Sequence, residues 1–386
     1  MQITRKTNAW TDAIDMRNTK NTQNILHISR TMGQGGAEKV VEQLCTDLKG
    51  WRFVVASTGG YRVKTLQNHN ATHYDIPDIA SKNPITMLKI IKKLNSIVKK
   101  EHINIIHSHH RMAAFYARIL KLKNKNLQLI YTAHNVYNDK KILSRLSISN
   151  TKIIACGKNV KDNLTKFYKI SEKKVTLIPN SVKLPNVKSL NTLPQKHKNQ
   201  VYLASISRLV DDKGIDIFID ALYIIKEKQL LNFHAFIFGE GEKRTLLEDK
   251  VKKNQLQQNI TFLGFQEDAL SLITPIDIIV SPSRREGLPL TIIELFALGK
   301  TIIASDIDSH KEIINNGFNG ILFQSENIED LAQKILKFAQ NKKVLRTTAQ
   351  NAKDEYLNKY NFNVFLAKYN NVYRFSNYTT DLKKIK

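Results

Sequence analysis

Short apolar runs alternate along almost the whole chain with stretches in which apolar residues recur every three or four positions. The first cycle opens at residues 25–29 with the pattern of a buried strand, continues through a glycine-rich turn at 31–36, and ends in a helical pattern at 37–48. Further strand patterns fall at 53–56, 103–107, 127–132 and 152–155, with a helical pattern at 87–100 among them. Alternation of this kind predicts a parallel, doubly wound sheet. From 179 to 194 the pattern lapses into Pro, Asn, Ser and Lys, which reads as a linker. It restarts at 201–206 and runs through 216–227, 233–238, 243–252, 260–263, 276–281, 290–297, 301–304 and 328–339. The expected organisation is a polar tail at 1–23, an α/β domain at 24–182, a linker at 183–200, a second α/β domain at 201–360, and a helix with a basic tail at 361–386. That last helix carries Phe365, Tyr369 and Tyr373 at fourfold spacing and is expected to pack back on the first domain.

At 386 residues the chain exceeds what one core normally supports, so two domains with a ligand cleft between their strand ends are expected. A hydrophobic fraction of 42% and a charged fraction of 24% exclude a disordered chain. Two distant cysteines, Cys45 and Cys156, exclude a disulfide framework and a cysteine zinc site, and fit a reducing compartment. The polar first residues lack a signal-peptide core, and no later stretch is long and apolar enough to span a membrane. Cytoplasmic residence is the expectation. The formal charge of +26 favours anionic partners without choosing among phosphates, nucleic acid and lipid.

Three loops at strand ends of the second domain carry candidate chemistry. The richest is Ser281-Pro-Ser-Arg-Arg-Glu286-Gly287-Leu288-Pro-Leu290-Thr291-Ile-Ile-Glu294, set between a strand and a helix. Gly287 permits a tight turn, Pro289 suits a first helical turn, and free amides after it favour an anion. The plain alternative is a strand-to-helix turn with one solvated and one capping glutamate. The second loop brings Arg208, Lys213 and Gly214 to the end of strand 201–206, where two cations can grip phosphate oxygens. The third is Gly239-Glu-Gly241, a weak signal alone. In the first domain, His107 and His109 share one strand face opposite His110, and with no carboxylate beside them no metal site is expected. Asp306-Ile-Asp308 is expected to cap or brace structure.

These residues carry a resemblance. Arg208 with Lys213-Gly214, Gly239-Glu-Gly241, Phe262-Leu-Gly264-Phe, and Pro282-Ser with Glu286-Gly-Leu-Pro and Glu294 are similar to the C-terminal domain of the family 4 retaining glycosyltransferases of bacterial surface-polysaccharide synthesis. The likeness covers most of 201–340. The first domain adds Gly33-Gln-Gly35-Gly36-Ala-Glu-Lys39, the strand end at His109, Thr132-Ala-His134-Asn and Pro179-Asn-Ser. The resemblance implies a GT-B fold, with two Rossmann-like domains facing across a cleft and a nucleotide-diphosphate sugar bound chiefly to the second. It implies that Arg208 and Lys213 neutralise the donor diphosphate, Glu294 takes the ribose hydroxyls and Glu286 contacts the transferred sugar. The amides of Gly287 to Thr291, Leu288 and Leu290 among them, would meet the diphosphate. Gly35, Gly36, His109 and His134 would close the site from the first domain. Neither cofactor nor metal is implied. Two departures bear on pocket shape: Leu295-Phe296 stands where the family has a small residue and Met, and Ser309-His310-Lys311 replaces a glycine-rich turn.

Between 84 and 141 only Glu101 and Asp139 oppose twelve lysines and arginines. In the helical pattern 87–100, Met87, Ile90, Ile91, Leu94, Ile97 and Val98 form an apolar stripe beside lysines. This is either a core-packed helix with a cationic face or a contact with anionic lipid headgroups that carry a lipid-linked acceptor. The function expected is sugar transfer to a glycan or lipid-linked acceptor, at the inner face of the cell membrane. Two rivals are a nucleotide-sugar epimerase of the same fold, which would convert a lone donor, and a basic nucleic-acid-binding protein, which no aromatic-basic strand motif supports.

Overall fold

The computed structural model describes residues 23–183, 193 and 199–374. Most of the expected N-terminal tail, much of the linker and the basic C-terminal tail lie outside the described residues.

The first sheet comprises β1 (Asn24–Ile28), β2 (Arg52–Ser57), β3 (Thr72–Asp75), β4 (Ile105–Ser108), β5 (Gln128–Ala133), β6 (Lys152–Ala155) and β7 (Val175–Leu177) in the order 3-2-1-4-5-6-7. Its helices are α1 (Gly36–Asp47), α2 (Arg62–Asn68), α3 (Pro84–Lys100), α4 (Arg111–Lys123), α5 (Lys141–Ser147) and α6 (Lys158–Asp162). All its paired strands run parallel. The second sheet comprises β8 (Val201–Ile206), β9 (Phe233–Phe238), β10 (Ile260–Gly264), β11 (Ile278–Ser281), β12 (Ile302–Ser305) and β13 (Ile321–Phe323) in the order 10-9-8-11-12-13, again parallel. Its helices are α7 (Ile215–Glu227), α8 (Arg244–Lys253), α9 (Ala269–Leu272), α10 (Leu290–Ala297), α11 (Asp308–Ile313), α12 (Ile328–Ala339) and α13 (Lys342–Lys359), and α14 (Phe362–Arg374) ends the described chain. Helices on both faces explain why the strands are near-continuous apolar runs rather than alternating ones. Both order reversals occur beside the first strand of a sheet, so the two ligand-binding crevices open at the carboxyl ends of β1/β4 and β8/β11.

The stripe on α3 is packed: Ile90, Leu94, Ile97 and Val98 are buried, with Met87 and Ile91 against the same cluster. Its lysines face outward. The strand expected from 103 starts at Ile105, because Ile103 N donates to Val98 O at 3.0 Å and closes α3 through left-handed His102. α14 lies on the first sheet, where Trp51 Nε1 donates to Asn370 at 2.9 Å and Tyr369 and Tyr373 are fully buried. One apolar cluster runs from β1 and β5 through α14 into α10, so the two domains share packed side chains.

Candidate functional site

The rim of the second domain is held together by loop backbones in contact. Gly214 sits at φ 63°, and a Cβ there would collide with the Pro282 carbonyl; Gly239, at φ 129°, approaches the Ser207 carbonyl in the same way, and Gly241 that of Leu209. Leu209 N donates to Glu240 O at 2.9 Å, and Lys243 N to Leu209 O at 3.0 Å. Gly239 and Gly241 therefore set the position of the loop that bears Arg208 and Lys213.

On that loop Lys213 Nζ pairs with Glu286 Oε1, and Ser283 Oγ donates to the same oxygen at 3.0 Å. The two side chains are only 17% and 14% exposed, so the pair is poorly screened. Arg208 is exposed and makes no ion pair among the described residues. Arg284, two residues before Glu286 in the same loop, is employed within the second domain. It forms a fork with Asp216 at 2.9 and 2.7 Å and binds Glu326 and the Asp211 carbonyl, each at 2.8 Å. The Asp216 bond raises its pKa above the usual arginine value. Arg284 is thus an anchor tying the Glu286 turn to α7.

Pro289 stands at the N-cap of α10, one position earlier than a first-turn proline, and no side chain caps this end. The amides of Leu290 and Thr291 are left for a ligand. Leu288 and Leu290 are buried against the first domain, and Leu295 and Phe296 are wholly within the core, so that departure from the family pattern falls behind the pocket. Ser309 and His310 are buried as well, His310 Nδ1 lying 2.8 Å from Ser305 O. Asp306 accepts from Ser325 N at 2.9 Å and pairs with Lys311, which leaves the Asp306-Ile-Asp308 triplet a brace.

Across the cleft the first domain meets this rim at several places. Gly36 approaches Leu290, where an added Cβ would lie 3.3 Å from Cδ1. Lys39 Nζ pairs with Glu294 Oε1. Gly287 lies against the His134 carbonyl so closely that a Cβ would collide with it. Glu312 of α11 accepts the Lys158 and Asn159 amides at 2.5 and 2.9 Å, capping α6 from the other domain. Lys39 and Glu312 were not expected, and neither spacing nor residue type marks a contact between domains. Gly35 packs on the carboxylate of Glu38, which Thr31 Oγ1 holds at 3.0 Å.

His109, expected to face the ligand, is 2% exposed, and both its ring nitrogens are engaged by other imidazoles, so its route to the cleft runs through His134. β1 and β4 pair in register at His27 and His107, which adds His27 to the group. His107 contacts Tyr373 OH and Thr132 Oγ1, both at 2.8 Å. Burial lowers the pKa of His27 and His134 to about 3, and those of His107 and His109 well below the ordinary value. His27, His107 and His109 bring one nitrogen each within 4.8 Å of one another, but only His27 Nε2 among their ring nitrogens lacks a hydrogen-bond partner. The hydrogen bonds present already account for this packing.

Comparison with known proteins matches residues 34–184 to Glycosyltransferase Family 4 and residues 191–355 to Glycosyl transferases group 1. An uncharacterized glycosyltransferase of Methanocaldococcus jannaschii is 27% identical over 332 residues, covering 83% of this chain and 89% of that protein. The UDP-Gal:alpha-D-GlcNAc-diphosphoundecaprenol alpha-1,3-galactosyltransferase of Escherichia coli is 24% identical over 308 residues, covering 72% and 77%. The crystal structure of a glycosyltransferase from Rickettsia africae superposes with a TM-score of 0.78 at 26% identity, over 92% of this chain and 99% of that one.

Proposed function

The chain belongs to the family 4 glycosyltransferases, and we propose that it moves a hexosyl group from a nucleotide-diphosphate sugar to a lipid-linked or glycan acceptor, with retention of configuration. The observation that carries this reading is the Lys213–Glu286–Ser283 cluster set under the uncapped start of α10. The E. coli relative, named for a UDP-Gal donor and a diphosphoundecaprenol-linked acceptor, supports the donor and acceptor classes.

A departing nucleoside diphosphate gathers negative charge while the sugar becomes oxocarbenium-like, so fixed positive charge must face the leaving oxygens. Arg208, Lys213 and the α10 amides provide it, which is why no metal is assigned a role. Lys213 and Ser283 both engage Glu286 Oε1, and Oε2 has no partner among the described residues, which suits a hydrogen bond to a sugar hydroxyl. A carboxylate neutralised in this way is a weak nucleophile, which favours front-side attack over a covalent intermediate. Glu294 receives the ribose once Lys39 releases it, so donor binding and the contact between domains compete for one carboxylate.

Thermal unfolding of the chain against a panel of nucleoside diphosphates and their sugars tests the reading. One nucleotide series should stabilise the protein by about 2.7 kcal/mol at a hundred times its dissociation constant. Conversion of a lone donor to its epimer, or tight RNA binding with no nucleotide response, would overturn it.

Among the described residues no helix is long and apolar enough to cross a membrane. We assign peripheral contact with an anionic inner leaflet to the first domain, with α5 as its apolar part. Ile142, Leu143 and Leu146 are 76%, 48% and 62% exposed beside Lys140, Lys141 and Arg145, while α3 adds outward lysines across the intervening α4. Charge reversal of Lys92, Lys93, Lys99 and Lys100 to Glu should abolish salt-sensitive vesicle binding. Ile142→Ser with Leu146→Ser should weaken the part that survives high salt. Unchanged sedimentation with vesicles in both variants would remove the membrane from the proposal.

A further inference from the structure

Tyr61 of the first domain and Phe265 of the second meet across the cleft, with ring centroids 5.3 Å apart and planes inclined at 55°. Neither ring belongs to a core: Phe265 is 37% exposed, Tyr61 is half-buried, and the Tyr61 hydroxyl makes no hydrogen bond among the described residues. Both are nevertheless firmly placed. Gly59 and Gly60, at φ 90° and 141°, press the turn before Tyr61 onto the 31–36 loop, where a Cβ on Gly60 would collide with the Met32 carbonyl. Met32 N donates to Gly59 O at 2.7 Å, and Arg62 Nε donates to Gly33 O at 2.9 Å while its guanidinium covers the Tyr61 ring at 4.9 Å. On the other wall Gly239 N donates to Gly264 O at 2.7 Å, which ties the Phe265 loop into the same rim as Arg208. Aromatic surface held open on both walls of a cleft suits a planar ligand.

The order of the strands says which part of a donor reaches these rings. Along the rim 10-9-8-11, Glu286 follows β11, Arg208 and Lys213 follow β8, and Phe265 follows the edge strand β10. The cations assigned to the diphosphate therefore stand between the sugar end and Phe265, and the group beyond a diphosphate on that side is the nucleoside. Tyr61 stands at the same end. Burial raises its phenol pKa against the pull of Arg62, and the carboxylates of Glu42, Glu267 and Glu294 add to the rise, so the ring lies near the glutamate assigned to the ribose.

We propose that Tyr61 and Phe265 clamp the base of the donor nucleotide between them, so that the first domain, through Tyr61, takes part in binding the nucleoside. The inference rests on the nucleotide-sugar reading above. A base needs about 3.5–4 Å to each ring, which sets the two rings about 7–8 Å apart, so the walls must part by about 2–3 Å from their 5.3 Å contact. The neighbouring bridge between the domains is Lys39–Glu294, and the same movement releases it for the ribose. Stacking meets the face of a base and not its edge, so the clamp adds affinity without choosing among bases.

Calorimetric titration of the full chain with UDP, GDP, ADP, CDP and dTDP tests the clamp by the sign of a change. If the ring pair only holds the domains together, it competes with the ligand, and Tyr61→Ala should tighten nucleotide binding. A clamp predicts the reverse. Tyr61→Ala should weaken whichever nucleotide the wild type binds by about tenfold, the usual order for one lost base–aromatic stack, and Phe265→Ala, on the other wall, should do the same. Tyr61→Phe, which keeps the ring, should stay within about twofold of wild type. Circular dichroism matching wild type checks that each variant is folded. Tighter or unchanged binding in Tyr61→Ala, or a loss that Tyr61→Phe shares, would overturn the clamp and leave the proposed function standing. A wild type that binds none of the five nucleotides would overturn both.

Discussion

The rim of the second domain and the histidine line of the first are both polar, yet they are built in opposite ways. The rim is made of consecutive loop residues: Arg208 to Gly214, Gly239 to Gly241 and Pro282 to Leu290 lie where backbones touch, and their charged side chains remain partly open. The histidine line takes His27 from β1 and His109 and His134 from the positions just past β4 and β5, and sits among packed strands. Loops spend polar groups on ligands, whereas a sheet interior must satisfy them internally. Changes in the rim should therefore cost turnover, and changes deep in the histidine cluster should cost stability.

The largest effect that tests this contrast is expected at the rim. Glu286→Gln should lower kcat by about 10²- to 10³-fold, the usual cost of one charge-stabilising group, with little change in unfolding temperature. Lys213→Met should lose as much activity and also stability, since it strands the Glu286 carboxylate at 14% exposure. The double variant should recover the stability and none of the activity. A Glu286→Gln enzyme working at the wild-type rate would break the assignment of the rim to chemistry.

The opposite signature is expected at His107, which lies in the same cluster but outside the line to His134. His107→Leu strands the Tyr373 hydroxyl, at a cost of about 1–3 kcal/mol for a buried group left unpaired, while Thr132 Oγ1 keeps its contact with Tyr369 OH at 3.4 Å. Chemical denaturation should show the loss, and addition of Tyr373→Phe should recover part of it, because the hydroxyl is then gone too. A stability within error of wild type, with a collapsed kcat, would place His107 with the catalytic groups.

The same contrast explains what could be read from the chain before its structure. Rim residues are adjacent in sequence and fall at strand ends, so Arg208, Lys213, Glu286 and Glu294 stand out once the alternation is seen. His27 gives no such sign, since one histidine within a five-residue strand has the period of any buried residue and meets His109 only through strand pairing. β3, with the polar sequence THYD, and β13, three residues long, are too short or too polar for periodicity to register. α13 buries only Thr348, Ala352 and Tyr356, which leaves little apolar stripe to detect. Lys39–Glu294 joins residues on separate domains, and spacing carries no information about that.

Arg284 lies in the same loop as Glu286 yet serves the fold, and the effect there should be the smallest. As a diphosphate ligand it would bind donor directly, and Arg284→Ala would raise the donor KM by more than about tenfold, the cost of a charged hydrogen bond at 1.5–3 kcal/mol. In the fold its guanidinium is committed to Asp216, Glu326 and the Asp211 carbonyl. These acidic partners are 39% and 58% exposed, so solvent screens them and the network should contribute about 1 kcal/mol. Arg284→Ala should thus lower the unfolding temperature by about 2–4 °C if the second domain melts as its own unit, and leave the donor KM within about threefold. Arg284→Lys should not rescue the stability fully, because an ammonium cannot reproduce the two-pronged bond to Asp216. A tenfold rise in KM at unchanged stability would assign Arg284 to the diphosphate and leave the turn before Glu286 without its anchor on α7.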